Sequence, residues 1–377
     1  MTEPTPVRCP AIEHPDLPLA DPAALDPLLD RLADPAPVGA DEEFPLGTLR
    51  PDGRVDLCKQ GLGPAGAARV LPAATASPHA VHLLLGTNAI GAEGARLLAD
   101  ALTPGHGLET VYLGCNRIGA DGAAALAARL GDDETVRALW LKRNPVGDAG
   151  ARALAGMLTR NRRVRCLDLV NTGITAEGLR ALLSALTDRP EPVERLFLGG
   201  NGLGPDTADL LAAFLRDAGV RELYVPANHL GDEGAAVIAA ATDPARPVTL
   251  GLGGNGIGPA GARALADALG GIEALDLGRP PSERALGAPP NTSGDEGLAA
   301  IAAALPHSAL RRLEVRHTGI THKGAATVLR AVARGGRLEY AGFGPGIPRR
   351  TKRAVGHHLR PGQGTHHDLR MIRSLYR

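Results

Sequence analysis

The sequence is short of aromatic residues: Phe, Tyr and Trp together make up 2% of 377 positions, although 44% of the residues are hydrophobic. A single thick globular core uses bulky rings to fill its centre, so a thin, layered core of Leu and Ala is the expected alternative. Lysine is nearly missing, with 4 against 37 Arg. Together with abundant Ala, Gly and Pro, this composition suggests a GC-rich bacterial genome and says nothing of function. Net charge is absent too, at 41 basic and 41 acidic residues, which removes the global electrostatic footprint of a nucleic-acid or membrane-surface binder. No apolar run approaches the roughly 18 residues of a membrane span, and the acidic, Pro-rich start lacks a signal-peptide pattern. The four cysteines, Cys9, Cys58, Cys115 and Cys166, are scattered without a CxxC pair. Reduced thiols and a cytoplasmic chain are therefore expected, with the Asn291-Thr292-Ser293 sequon idle.

Catalytic signatures are also missing. There is no phosphate-cradling GxxxxGK[ST], no HExxH and no GxSxG elbow. The pairs His357–His358 and His366–His367 lack the i, i+4 spacing of helical metal ligands. Cys58 beside Lys59 reads as a small residue on a terminal strand, with a reactive thiol as the less favoured alternative. The chain reads as a non-enzyme with no cofactor and no metal.

What is present is a repeat. The phrase Leu83-x-Leu85-x-x-Asn88-x-Ile90-Gly91-x-x-Gly94-Ala95-x-x-Leu98-Ala99-x-x-Leu102 recurs down the chain. The position of Asn88 is held in turn by Gln60, Asn88, Asn116, Asn144, Thr172, Asn201, Asn228, Asn255, Pro280, Thr318 and Phe343, which makes about eleven units of about 28 residues. Leu-x-Leu has the two-residue period of a strand with one buried face. The Asn amide offers a donor and an acceptor to backbone groups left unpaired where the chain turns. Thr172, Thr318 and Gln60 can do part of this, whereas Pro280 and Phe343 cannot, so the ladder is expected to fail late. Gly63, Gly91, Gly119, Thr175 and Thr321 then stand at helix N-caps, and Pro64, Pro205 and Pro259 at first helical positions. Acidic residues such as Glu93, Asp121 and Asp148 suit the first helical turn. Apolar residues at helical spacing, such as Ala123, Leu126, Ala127 and Leu130, face the core.

One such unit cannot offset its ordering entropy alone, but stacked units share a continuous core. Strands stack about 4.8 Å apart and helices need about 8–10 Å. The expected fold is an α/β solenoid, a horseshoe with a parallel sheet on the concave face and helices on the convex face. The repeat resembles the ribonuclease-inhibitor type of leucine-rich repeat over residues 55 to about 345. That type is shared with Ran GTPase-activating proteins and the sensor regions of NOD-like receptors. The resemblance implies binding of a protein partner, or regulation of a partner GTPase, without assigning any residue a role.

Three segments are expected: a Pro-rich acidic lead over 1–48, the solenoid over 49–345 and a basic cap or tail over 346–377. The lead is partly disordered or caps the first repeat, with Leu25, Leu28, Leu29 and Leu32 at helical spacing. In the tail, Leu369, Ile372 and Leu375 suit a short helix over the last repeat. An insertion at 279–293 carries Pro280, Pro281, Pro289 and Pro290 and is expected on the rim.

The residue between the strand leucines should point away from the core. It reads Leu84, Tyr112, Trp140, Asp168, Phe197, Tyr224, Gly251, Asp276, Glu314 and Glu339. Four of the nine aromatics, including the single Trp, fall in this column. Aromatic and Arg enrichment on an exposed face marks interaction hot spots, although strands also favour aromatics on their own account. The candidate partner-binding residues are Tyr112, Trp140, Lys142, Asp168, Arg195, Phe197, Tyr224, Asp276, Arg279 and Glu314, with Arg143 and Glu222 beside them. A protein partner is expected, with no membrane or nucleic acid and a monomeric chain.

Overall fold

The computed structural model describes residues 5–13, 18–280, 285–362 and 366–372. Leu375 and Pro281, which the sequence placed in the tail helix and the rim loop, lie outside them. The chain forms two compact units that divide after Val193, and the described C-terminal residues belong to the first.

Unit 1 opens with α1 (Pro10–Glu13), α2 (Asp26–Ala33), β1 (Glu42–Glu43), β2 (Thr48–Leu49) and β3 (Arg54–Asp56). It continues as α3 (Gly63–Ala76), β4 (His82–Leu84), α4 (Gly91–Ala101), β5 (Thr110–Tyr112), α5 (Ala120–Leu130), β6 (Ala138–Trp140), α6 (Gly147–Leu158), β7 (Cys166–Asp168) and α7 (Ala176–Thr187). From β3 to β7 the strands pair in parallel and in chain order, and successive helices pack side by side on one face. Val55, Leu83, Val111, Leu139 and Leu167 form one core column between sheet and helices. Every second residue points the other way, as the pleat requires. Asp56, Leu84, Tyr112, Trp140 and Asp168 are therefore in register on the opposite face, here called the wall.

The N-terminal edge is closed by the lead. Leu25, Leu28 and Leu32 are buried, Arg69 reaches the Pro22 carbonyl and Asp26, and the antiparallel β1–β2 hairpin pairs with β3. An open sheet edge is a template for unwanted pairing, and such a cover blunts it.

Unit 2 contains β8 (Arg195–Phe197), α8 (Ala208–Arg216), β9 (Glu222–Tyr224), α9 (Gly231–Ala240), β10 (Val248–Gly251), α10 (Pro259–Asp267) and β11 (Ile272–Asp276). It ends with α11 (Gly294–Ala304), β12 (Arg312–Glu314), α12 (His322–Val332), β13 (Tyr340–Gly342) and α13 (Arg349–Gly356). Its strands are again parallel and consecutive, with Phe197, Tyr224, Gly251, Asp276, Glu314 and Gly342 in register. Two expectations change here. The last wall position is Gly342, not Glu339, because Ala341 takes the core place opposite Leu313. Glu339 precedes the strand and pairs with Arg311. The helix over the last repeat is α13, packed on α12; α14 (His367–Met371) belongs to unit 1.

The asparagine ladder explains how the repeats lock together. Asn144 Oδ1 accepts from Asn116 N at 2.9 Å and Ile118 N at 3.0 Å, while its Nδ2 donates to the Leu113 and Leu141 carbonyls, both at 2.9 Å. One buried side chain thus satisfies backbone groups of two adjacent units, as buried polar groups require. Thr172 and Thr318 donate to the carbonyl three residues back. After Asn255 the ladder does not fail at Pro280. Asn291 continues it, accepting from Asn255 N and Ile257 N at 2.9 Å and donating to Leu252 O and Leu277 O. The insertion therefore lies ahead of the Asn, and the sequon Asn is spent inside the stack.

Acidic first-turn residues act on the next helix and not only on their own. Asp148 Oδ1 accepts from Thr175 N and Gly178 N, and Oδ2 from the Thr175 hydroxyl at 2.7 Å. Gly178 is needed for this approach, since a Cβ there would sit 2.6 Å from Asp148 Oδ1.

The thiols also depart from expectation. Cys9 and Cys115 form a disulfide across a sequence separation of 106 residues. The irregular segment before α1 is further tied by Arg8 N to Asn171 Oδ1 at 2.8 Å and by Asn171 Nδ2 to the Pro6 carbonyl at 3.0 Å. Two cysteines 106 residues apart become neighbours only because the third unit's turn stands beside the returning lead. Cys58 and Cys166 remain thiols. In denaturant without reductant, thiol titration is expected to count two groups per chain, rising to four after reduction. Four groups without reductant, from protein kept oxidising throughout, would remove the disulfide.

Candidate functional site

The wall of each sheet carries the column that the sequence singled out. Its two parts are built differently. In unit 2 it forms an aromatic platform. Phe197 and Tyr224 stack with ring centroids 4.5 Å apart and planes 4° from parallel. The Tyr224 hydroxyl donates to Glu222 Oε2 at 2.8 Å, and the Arg195 guanidinium forms an ion pair with Glu222, Nε to Oε1 at 2.8 Å. Arg195 is buried, so it acts as a fixed post that holds Glu222, which in turn holds Tyr224. Both rings stay partly exposed. Gly251, the next wall residue, has no side chain to lift the ring; a Cβ there would meet Tyr224 Cδ1 at 2.6 Å.

Beyond the platform is a groove of about 360 Å³ lined by Tyr224, Asp276, Arg279, Pro280, Glu314 and Arg316. Asp276 Oδ1 accepts from Gly278 N at 2.8 Å. Loss of hydration in the groove, with the Glu314 carboxylate adding to it, pushes Asp276 up to about 6, although the residue keeps solvent contact. Glu314 is held by Arg316 at 2.7 Å and by the Tyr340 hydroxyl at 2.8 Å. Arg279 N donates to the Arg316 carbonyl at 3.1 Å, which anchors the start of the inserted loop on the groove edge. A ligand here meets flat rings at one end and a carboxylate pair with adjoining guanidinium groups at the other.

In unit 1 the expected exposed rings are out of solvent. Trp140 is 0% exposed, Tyr112 5% and Asp168 1%. Leu84 and, one residue pair earlier on the wall, His82 and Thr110 are buried as well, with His82 Nδ1 2.9 Å from the Thr110 hydroxyl. Lys142 lies over the Tyr112 ring, 5.6 Å from its centroid. Burial lowers the Lys142 pKa, against the opposing pull of Asp168. Asp168 Oδ1 accepts from Val170 N at 2.8 Å, while Oδ2 has no hydrogen-bond partner among the described residues. Burial pushes the Asp168 carboxyl up to about 6. Cys58 accepts from Gly86 N at 3.2 Å, and burial followed by the Asp56 carboxylate drives its pKa far above the ordinary thiol range. It is not an activated nucleophile.

The strand–turn–helix repeat, its parallel sheet and its Asn ladder make this an α/β leucine-rich-repeat solenoid. The leucine rich repeat family model matches residues 108–127, 133–155, 160–183 and 248–266. Among solved structures, leiomodin-1 actin-binding site 2 is similar at 20% identity and a TM-score of 0.27, over 32% of this chain and 72% of that one. A chain of the Rad7 and Elc1 complex in yeast is similar at 17% identity and a TM-score of 0.39, over 74% of this chain and 78% of that one. No curated protein matches the sequence. Among the described residues, no helix is long and apolar enough to cross a membrane.

Proposed function

We propose that the chain is a protein-binding scaffold whose docking surface is the wall of unit 2. The observation that carries this reading is the pre-set platform: Phe197 and Tyr224 are stacked, partly exposed and held by Glu222, itself ion-paired with the buried Arg195. Rings fixed in this way lose little side-chain freedom on binding, which is how aromatic anchors become hot spots. The groove beyond them supplies Asp276, Glu314 and Arg279 for polar contacts at the rim. A partner presenting an apolar or aromatic knob beside a basic group fits this order of features. The other candidates fall into two groups. Tyr112, Trp140, Lys142 and Asp168 lie on unit 1's wall, and Arg195 supports the platform from below.

Replacing both Phe197 and Tyr224 by Ala is expected to weaken the captured partner by at least about 2 kcal/mol, roughly thirtyfold in Kd. The measurement is capture from native lysate followed by titration of the purified partner, with circular dichroism confirming that the variant folds. Unchanged affinity in the folded variant would move the docking surface elsewhere. Capture of a small GTPase, with faster GTP hydrolysis on adding the chain, would favour the regulatory reading that the repeat type resembles.

A further inference from the structure

Part of unit 1's wall is out of solvent, and the chain itself offers what covers it; the adjoining part, at Asp56, Cys58, Tyr112 and Lys142, lines an open groove of about 880 Å³. Helices α3 to α7 pack side by side against the core face of the strands. Yet Leu84, Ala138, Trp140 and Cys166 are fully buried on the wall, whereas the equivalent Phe197, Tyr224 and Asp276 of unit 2 retain solvent contact. The C-terminal residues His366–Ile372 belong to unit 1, far in sequence from its other elements. His367 meets His82 of the wall with ring centroids 5.4 Å apart. Met371, at the end of the same short helix, and Ile372, just after it, are 3% and 1% exposed. A pair of large apolar side chains near a terminus is buried only if it has docked on an apolar surface.

We propose that His366–Ile372 is a docked segment that occupies the wall of unit 1 in cis, so that this wall is a second recognition surface masked by the chain's own C-terminal helix. The recognised chemistry is a short helix ending in an apolar Met-Ile pair, preceded by His367 and Arg370. Beside His82 the same wall presents the in-register run Leu84–Tyr112–Trp140, and Asp168 has a buried carboxylate oxygen not used by the described residues. Access to the wall is then set by competition between this segment and a ligand of like chemistry.

Trp140, the chain's single Trp, reports on the masking directly. In the full chain its emission should be blue and poorly quenched by acrylamide. Ending the chain at Gly364, or making the double substitution Met371→Asp, Ile372→Asp, should shift the emission to the red and raise quenching several-fold. A synthetic peptide of residues 365–377 should reverse both changes in the shortened chain and have no effect on the intact one. Trp140 quenching that stays at the intact level in both variants, with circular dichroism unchanged, overturns the proposal. Should either variant fail to fold, a photo-crosslinking benzoylphenylalanine at Leu369 in the full chain decides. Crosslinks to β4–β7 support the docked segment, and crosslinks confined to unit 2 overturn it.

Discussion

Asn144→Ala is expected to lower the stability of the stack by about 4 kcal/mol, because four buried backbone groups lose their partner at once. The amides of Asn116 and Ile118 lose their acceptor, and the carbonyls of Leu113 and Leu141 lose their donor. Water cannot enter to replace the amide, since Asn144 itself is 0% exposed and lies inside the stack. Three of the four contacts, to Asn116, Ile118 and Leu113, belong to the preceding repeat, so the loss weakens the junction between two units, as in other one-dimensional stacks. Asn144→Thr should cost less, because a hydroxyl at this position reaches the carbonyl three residues back, as Thr172 reaches Leu169 at 2.8 Å. Urea unfolding of the three proteins measures this. Equal midpoints for Ala and Thr would mean that the donor to the strand's own carbonyl contributes nothing.

The second large effect has the opposite sign. Burial raises Asp168 from an ordinary value of 3.8 to about 6, so the folded chain disfavours its charged form. A shift of about 2 units corresponds to roughly 3 kcal/mol of destabilisation. That penalty is fully present above the folded value, near pH 6, and fades as pH falls toward the unfolded value. Below it both states are protonated and the penalty is gone. Asp168→Asn keeps an acceptor for Val170 N and carries no charge. It should therefore be more stable than the parent at pH 8, with the advantage shrinking between pH 6 and pH 4. A stability gap between the two proteins that is constant from pH 8 to pH 4 would show that Asp168 titrates normally in the folded chain.

Much of the fold was legible because the repeat is local. The Leu-x-Leu alternation and the Gly-x-x-Gly helix start each follow from interactions within one unit or with the next. Where the landmark moved, the reading moved with it. At the last strand the core place is held by Ala341, so the Leu338–Tyr340 pair drew the wall position to Glu339, three residues before Gly342. At the insertion, Pro280 stood at the expected spacing, yet Asn291-x-x-Gly294-x-x-Gly297 reproduces Asn88-x-x-Gly91-x-x-Gly94. Counting back from the glycines would have found the ladder residue.

The site was half legible. That Tyr112, Trp140, Phe197 and Tyr224 share one face follows from strand parity. Parity does not say which of them meets solvent: Tyr112 and Trp140 are buried while Phe197 and Tyr224 stay partly exposed, and no local pattern encodes that. The Cys9–Cys115 pairing is hidden for the same reason. Its two ends meet through a rim that exists only once the stack has formed.

Hydroxyl-radical footprinting of the free chain and of its complex with the captured partner tests the unit 2 docking wall most directly. Phe197 and Tyr224 should be oxidised in the free chain and protected in the complex. Protection confined to the helical face, at α8 to α12, with both rings oxidised as before, would contradict it.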